Sequence, residues 1–215
     1  MNQKNKSVNI VVFASGSGTN FISIHNQIKI GEINAEVKLL VSNNPKAGAL
    51  AYARTEGIPI FIHNEAHLSP NVDESTNLLF NELKKVNADL LVLAGFMKKI
   101  PDEIVTYYEK KILNIHPSLL PKFGGKGFFG MHVHRAVIET NETESGVTVH
   151  FVNKVYDDGP IIAQSVIEVK MNENAEELAK RVLSEEHKLY PKVVKAFCEN
   201  RILWDNNKPK IVKGV

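Results

Sequence analysis

The 215-residue sequence predicts an α/β protein, with a single open, mostly parallel, doubly wound sheet, an antiparallel C-terminal extension and a long C-terminal helix. Three observations lead there. Apolar runs alternate with helical patterns through the first two thirds of the chain. The runs are continuous, as in parallel strands covered on both faces. After Ser145 two strand-like segments follow each other with no room for a helical crossover.

The elements follow in order. VNIVVFA (8–14) reads as a buried strand and FISIHNQI (21–28) as a helix. AEVKLLVSN (35–43) is a second strand, and AGALAYARTEG (47–57) a helix ended by Gly57. IPIFIHN (58–64) is a short strand. Residues 73–86 read as a helix with Leu78, Leu79, Leu83 and Val86 on one face. DLLVLAGF (89–96) and KILNIHP (111–117) are the fourth and fifth strands, and Pro101 suits the first turn of a helix between them. SGVTVHFV (145–152) and PIIAQSVIEV (160–169) are the closely spaced pair. A helix then runs from about Ala175 to about Arg201, with Pro191 as a possible bend. No repeat or linker divides the chain, so one domain over 1–215 is expected, with 1–7 and the basic tail 205–215 loosely held.

Composition narrows the function. The formal net charge is +2, and no long basic block is present. A nucleic-acid partner therefore has no support. A single cysteine, Cys198, excludes an intramolecular disulfide, and no Cys/His set has zinc spacing. The opening MNQKNKS is polar and no apolar stretch has membrane length. A cytoplasmic protein without a membrane partner is expected, as a monomer or homodimer.

Open sheets of this kind bind ligands at the carboxyl ends of their strands. Four clusters lie there. ASGSGTN (14–20) joins the first strand to the first helix; such a loop either holds an anion on backbone amides or is an ordinary tight turn. It lacks the lysine of a P-loop and the third glycine of a dinucleotide fingerprint. AGFMKKI (94–100) follows the fourth strand. LNIHPSLLPKF (113–123) places Asn114 and His116 on one face of a strand, either as satisfied core groups or as chemistry. A glycine-rich loop, GGKGFFG, and His132-x-His134 follow; no third ligand makes them a metal site. VYDDGP (155–160) is an acidic turn, by default solvated. In the last helix Leu178, Val182, Leu189, Val193 and Phe197 form an apolar stripe that includes Glu186. A carboxylate there must be paired, hydrogen-bonded or facing a ligand.

Taken together, NIVVFASGSGTN, DLLVLAGFM, LNIHPSLLPKF, HVHRAV, GVTVHFV, DDGPII and EEHKLYP, in this order over residues 8–204, resemble the phosphoribosylglycinamide formyltransferases. The resemblance implies transfer of a formyl group from 10-formyltetrahydrofolate to glycinamide ribonucleotide in purine biosynthesis, with no metal. It implies Asn114, His116 and Asp157 as the catalytic group, and Gly18, Thr19, Asn20 and Glu186 as ribonucleotide contacts. It places the folate against Met97, Lys98, Lys99, Ile100 and Asn114, and against Asn153, Lys154, Val155, Tyr156 and Asp157. Two departures stand out. The connection FGGKGFFGM is longer than in many members, and residues 65–80 lack the arginine that some members place near the folate.

The reading implies direct attack of the glycinamide amine on the formyl carbon. Asn114 and a protonated His116 would donate to the tetrahedral oxyanion. Asp157 would favour the imidazolium, which then protonates the departing N10. Three alternatives differ in substrate or class: a 10-formyltetrahydrofolate deformylase, a formyltransferase acting on another amine, and a non-catalytic nucleotide-binding domain.

Overall fold

The computed structural model describes residues 6–63 and 72–213. The chain forms two compact units, Met1–Ile104 and Val105–Val215.

In the first unit β1 (Val8–Phe13), α1 (Thr19–Lys29), β2 (Ala35–Ser42), α2 (Gly48–Thr55), β3 (Ile60–Ile62), α3 (Val72–Lys85) and β4 (Leu90–Leu93) alternate. The strands lie in the order β3-β2-β1-β4, all parallel. Ile10 to Phe13 and Leu90 to Val92 are fully buried. That is why these strands read as unbroken apolar runs: neither face meets water. The chain winds outward from β1 to β3 and then returns to the other side of β1. The order reverses at β1, so the loops that leave β1 and β4 meet at a topological switch point. The short helix α4 (Asp102–Tyr107) lies at the division between the units.

In the second unit β5 (Ile112–His116) pairs antiparallel with β6 (Glu144–Phe151), which pairs antiparallel with β7 (Ile161–Glu168). Between β5 and β6 stands α5 (Met131–Glu139), beginning one residue before His132. The helix α6 (Ala175–Cys198) starts with a capping box. Asn174 Oδ1 accepts from the Glu177 amide at 2.9 Å, and the Glu177 carboxylate accepts from the Asn174 amide at 3.1 Å. Leu178, Val182, Tyr190, Val193 and Val194 are fully buried along it, and the Tyr190 hydroxyl donates to the Leu113 carbonyl at 3.0 Å. The helix contains Pro191 and ends at Cys198, short of the expected Arg201.

Much of the segment expected as a loose basic tail is paired. β8 (Ile202–Asp205) and β9 (Lys208–Ile211) form a hairpin whose two-residue turn is Asn206-Asn207. Both asparagines have positive φ, 46° and 62°. Two left-handed residues match the twist of a tight hairpin, and asparagine tolerates that region well. Trp204 stacks on Phe151 with ring centroids 5.1 Å apart, which holds the hairpin to β6. Residues 1–5 and 214–215 lie outside the described residues.

Candidate functional site

The second unit brings Asn114, His116 and Asp157 together. Asn114 and His116 lie two apart on β5 and face the same way. Asp157 Oδ2 is 3.5 Å from His116 Nδ1, and Asn114 Nδ2 donates to Asp157 Oδ1 at 3.4 Å. The turn that presents Asp157 is fixed locally. Asn153 Oδ1 accepts from the Val155 amide at 2.9 Å, and Asp157 itself has φ +53°. A Cβ at Gly159 would lie 1.7 Å from the Phe151 carbonyl oxygen, so only glycine closes this turn. Asp158 points elsewhere and accepts from Asn153 Nδ2 at 3.0 Å.

The segment after His116 is held by a buried network around Thr148. The Thr148 hydroxyl donates to the Ser118 carbonyl at 2.7 Å, and accepts from the Leu120 amide at 3.0 Å and Gln164 Nε2 at 2.8 Å. This network sets the course of residues 118–122. The chain then delivers the Phe123 carbonyl to 2.7 Å from His116 Nε2, and the Gly125 amide donates to Asp157 Oδ2 at 2.9 Å. The carbonyl can only accept, so Nε2 carries a proton whether the ring is charged or neutral.

The pKa of His116 shifts in the direction opposite to the sequence expectation. Burial lowers its pKa, and the opposing pull of Asp157 and the Phe123 carbonyl does not restore it; nearby His150 lowers it further. A buried imidazole loses more hydration on charging than one carboxylate returns. His116 nevertheless stays a donor at Nε2, because that role does not need the second proton. Burial also works against the Asp157 carboxylate. The His150 and His116 rings and the Gly125 amide outweigh it, and its pKa lies below the usual value.

Two histidines near the group had no role in the sequence reading. His150 lies opposite Asn114 in the β5–β6 register and is buried; its Nε2 is 3.1 Å from Asn114 Nδ2. The visible signal was the alternation of Thr148 and His150 on one face of an otherwise apolar strand. His134 is buried on α5, its Nδ1 lacks a hydrogen-bond partner, and burial followed by the proximity of His116 brings its pKa to about 4. Its H-x-H neighbour His132 stands against the Phe129 ring instead. Among the described residues no group of three or more His, Cys, Asp or Glu side chains is placed to hold a metal ion.

The first unit places the glycine loop beside residues 94–100. The Ser15 amide donates to the Gly95 carbonyl at 3.0 Å, and the Ser15 hydroxyl accepts from the Met97 amide at 2.8 Å and donates to Asn43 Oδ1 at 2.5 Å. Gly18 caps α1 with φ +78°, and no side chain caps that helix or places an acid in its first turn. Its amides and dipole therefore suit an anion. Gly18 also has a packing reason, since a Cβ there would lie 2.6 Å from Ala49 Cβ. Thr19 is partly exposed and Asn20 buried.

The other residues implied for the folate divide by exposure. Met97, Lys98 and Lys99 are exposed, and Lys99 pairs with Asp102 at 2.8 Å; Ile100 is a core side chain. Lys154, Val155 and Tyr156 are exposed on the acidic turn. Glu186 is buried on α6 within the apolar stripe. The missing arginine falls in a stretch of which residues 64–71 lie outside the described residues.

This arrangement of an amide, an imidazole and a carboxylate sits in a chain whose residues 8–194 match the formyl transferase family model. The chain belongs to the formyl transferase family. It is 50% identical over 195 residues to the chloroplastic phosphoribosylglycinamide formyltransferase of Arabidopsis thaliana, covering 91% of this chain and 67% of that protein. It is 34% identical to the phosphoribosylglycinamide formyltransferase of Escherichia coli K12, covering 93% of this chain and 92% of the relative. A solved structure, glycinamide ribonucleotide transformylase 1 from Symbiobacterium toebii, superposes with a TM-score of 0.90 at 32% identity, covering 99% of both chains. The chain thus spans nearly all of the bacterial formyl transferase and about two thirds of the plant one.

Proposed function

We propose that this chain transfers the formyl group of 10-formyltetrahydrofolate to the amine of glycinamide ribonucleotide, as one formyltransferase domain. The observation that carries the reading is the 2.7 Å contact of His116 Nε2 with a carbonyl oxygen, beside Asn114 and Asp157. The Phe123 carbonyl marks where an oxygen acceptor sits on this imidazole. In the reaction the formyl oxygen takes that place.

The substrate amine attacks the formyl carbon and the carbonyl π electrons move to oxygen. His116 Nε2 donates to the oxyanion as it forms. The longer Asn114 hydrogen bond, at 3.4 Å to Asp157, is the one that can turn to the same oxygen. Growing negative charge beside His116 raises its proton affinity; the ring takes up a second proton from water at Nδ1, where Asp157 favours the imidazolium that results. Collapse of the intermediate breaks the bond from carbon to N10, which takes a proton from His116. The proton lost by the amine leaves through water. No covalent enzyme intermediate forms.

Roles for the remaining residues follow the same reading. Gly18, Thr19 and Asn20 bind the phosphate through α1 and its loop, and Glu186 contacts the ribonucleotide. Met97 to Ile100 and the 153–157 turn line the folate. The chain acts in the cytoplasm as a monomer or homodimer; no helix among the described residues is long and apolar enough to cross a membrane.

Purified protein with 10-formyltetrahydrofolate, with and without glycinamide ribonucleotide, tests the reading. Donor consumption only with the ribonucleotide is expected. Equal consumption without it would identify a deformylase, and none in either case would leave a binding domain.

A further inference from the structure

We infer that Ser15 is a positioning residue for the folate, although it stands in the loop assigned to the ribonucleotide phosphate. The inference rests on the formyl-transfer reading, which sets Met97 to Ile100 against the folate. Ser15 lies two residues beyond β1, where the strand order reverses and ligands bind. Each of its polar groups is engaged. On the β4 side its amide donates to the Gly95 carbonyl at 3.0 Å, and its hydroxyl accepts from the Met97 amide at 2.8 Å. On the β2 side its hydroxyl donates to Asn43 Oδ1 at 2.5 Å, and its carbonyl accepts from Asn44 Nδ2 at 3.0 Å.

The directions of these bonds are forced. The Met97 amide can only donate, so the Ser15 hydroxyl accepts there, and its single proton is left for Asn43. Asn44 is held in turn. Its amide donates to Ser42 Oγ at 3.2 Å, and its Oδ1 accepts from the Lys46 amide at 3.0 Å. Dinucleotide-binding sheets carry an acid near the end of this strand for a ribose. Here two asparagines follow β2, and both turn back to the protein's own loop.

The tether to Met97 matters because side-chain packing does little beyond it. Phe96 meets Phe13 edge-on with ring centroids 5.2 Å apart, but Met97, Lys98 and Lys99 are exposed. Ser15 is buried, so water does not readily replace its hydroxyl on the Met97 amide. Removing the hydroxyl leaves the Ser15 amide on Gly95 and leaves Gly18 at the cap of α1. Only the hold on Met97 and the bond to Asn43 are lost. A change inside the glycine loop should thus weaken the folate and spare the phosphate.

Two measurements test this. The first is amide hydrogen exchange by NMR without substrates. The Met97 amide should be protected in the wild type and exchange at least about 10-fold faster in Ser15→Ala. Equal exchange in the two proteins would overturn the inference. The second is calorimetry with tetrahydrofolate and with glycinamide ribonucleotide. Ser15→Ala should raise Kd for tetrahydrofolate at least about 5-fold, the low end of the cost of an amide left unpaired, and Kd for the ribonucleotide less than about 2-fold. Ser15→Thr keeps the hydroxyl and should recover both the protection and the folate affinity. Equal losses for both ligands, or a loss confined to the ribonucleotide, would overturn the inference. Should Ser15→Ala fail to fold, Asn43→Ala, which strips the hydroxyl of its acceptor, is read the same way against Asn43→Asp, which keeps an oxygen there. Wild-type protein that transfers no formyl group would overturn the functional reading alone, since the Met97 exchange is read without substrates.

Discussion

Asp157 Oδ2 lies 3.5 Å from His116 Nδ1, while the next residue, Asp158, turns to Asn153 Nδ2 at 3.0 Å. Two adjacent aspartates in one turn therefore have separate surroundings, and only one reaches the imidazole.

Replacing Asp157 by Asn should lower the His116 pKa further, because the carboxylate is the main pull toward the charged ring against burial. Turnover should fall, and the remaining activity should move toward acid pH. Asp158→Asn should do neither. NMR titration of His116 in the wild type and both variants checks this; an unchanged His116 in Asp157→Asn would mean that the carboxylate does not govern it.

Gly18 and Gly16 should separate packing from phosphate binding. Gly18→Ala meets both a positive φ and Ala49 Cβ at 2.6 Å. It should lose about 1–3 kcal/mol of stability, measured by denaturant unfolding. A Cβ at Gly16 has nothing within 4 Å. Gly16→Val should leave stability nearly unchanged and raise KM for the ribonucleotide more than for the folate. Equal effects on both substrates would remove the loop from phosphate binding.

Glu186→Gln keeps shape and removes charge from a buried helix position. Ribonucleotide binding, measured by calorimetry, should weaken about 10- to 150-fold, the range for losing a charge-assisted hydrogen bond. The melting temperature should change little. A rise in stability with unchanged affinity would make Glu186 a structural carboxylate.

His134 gives the fold an acid-sensitive element. Its folded pKa of about 4 lies below the unfolded value of about 6.5, so the unfolded chain takes up the proton first. Stability is full above about pH 6.5 and falls toward about pH 4, by at most about 3 kcal/mol for this group. His116, also lowered, acts in the same direction. His134→Leu should flatten the decline between pH 6.5 and 4 in urea titrations; an unchanged slope would mean that the buried imidazole does not titrate in this window.

The strands were legible because burial on both faces leaves an apolar run that no loop imitates. The shared face of Asn114 and His116 was legible because they lie two apart in such a run, while their role came from the family resemblance. His150 was not singled out, since its place opposite Asn114 depends on the β5–β6 register, which no local pattern states. The lowered His116 pKa depends on burial of the ring in the folded chain, which is tertiary. The C-terminal hairpin left a signal in Asn206-Asn207, but the basic residues around it read as a solvated tail. Gly18 was read for anion binding, and its contact with Ala49 needed the approach of α2.

In the proposed reaction Asn114, His116 and Asp157 pass a formyl group to the ribonucleotide amine. Single-turnover transfer from a ¹³C-formyl folate, followed by NMR in the wild type and in His116→Ala, tests it most directly. The label is expected to appear as the ribonucleotide formamide, with His116→Ala slowing its appearance about 10²- to 10³-fold while both substrates still bind. Label released as free formate, or transfer by His116→Ala at the wild-type rate, would contradict it.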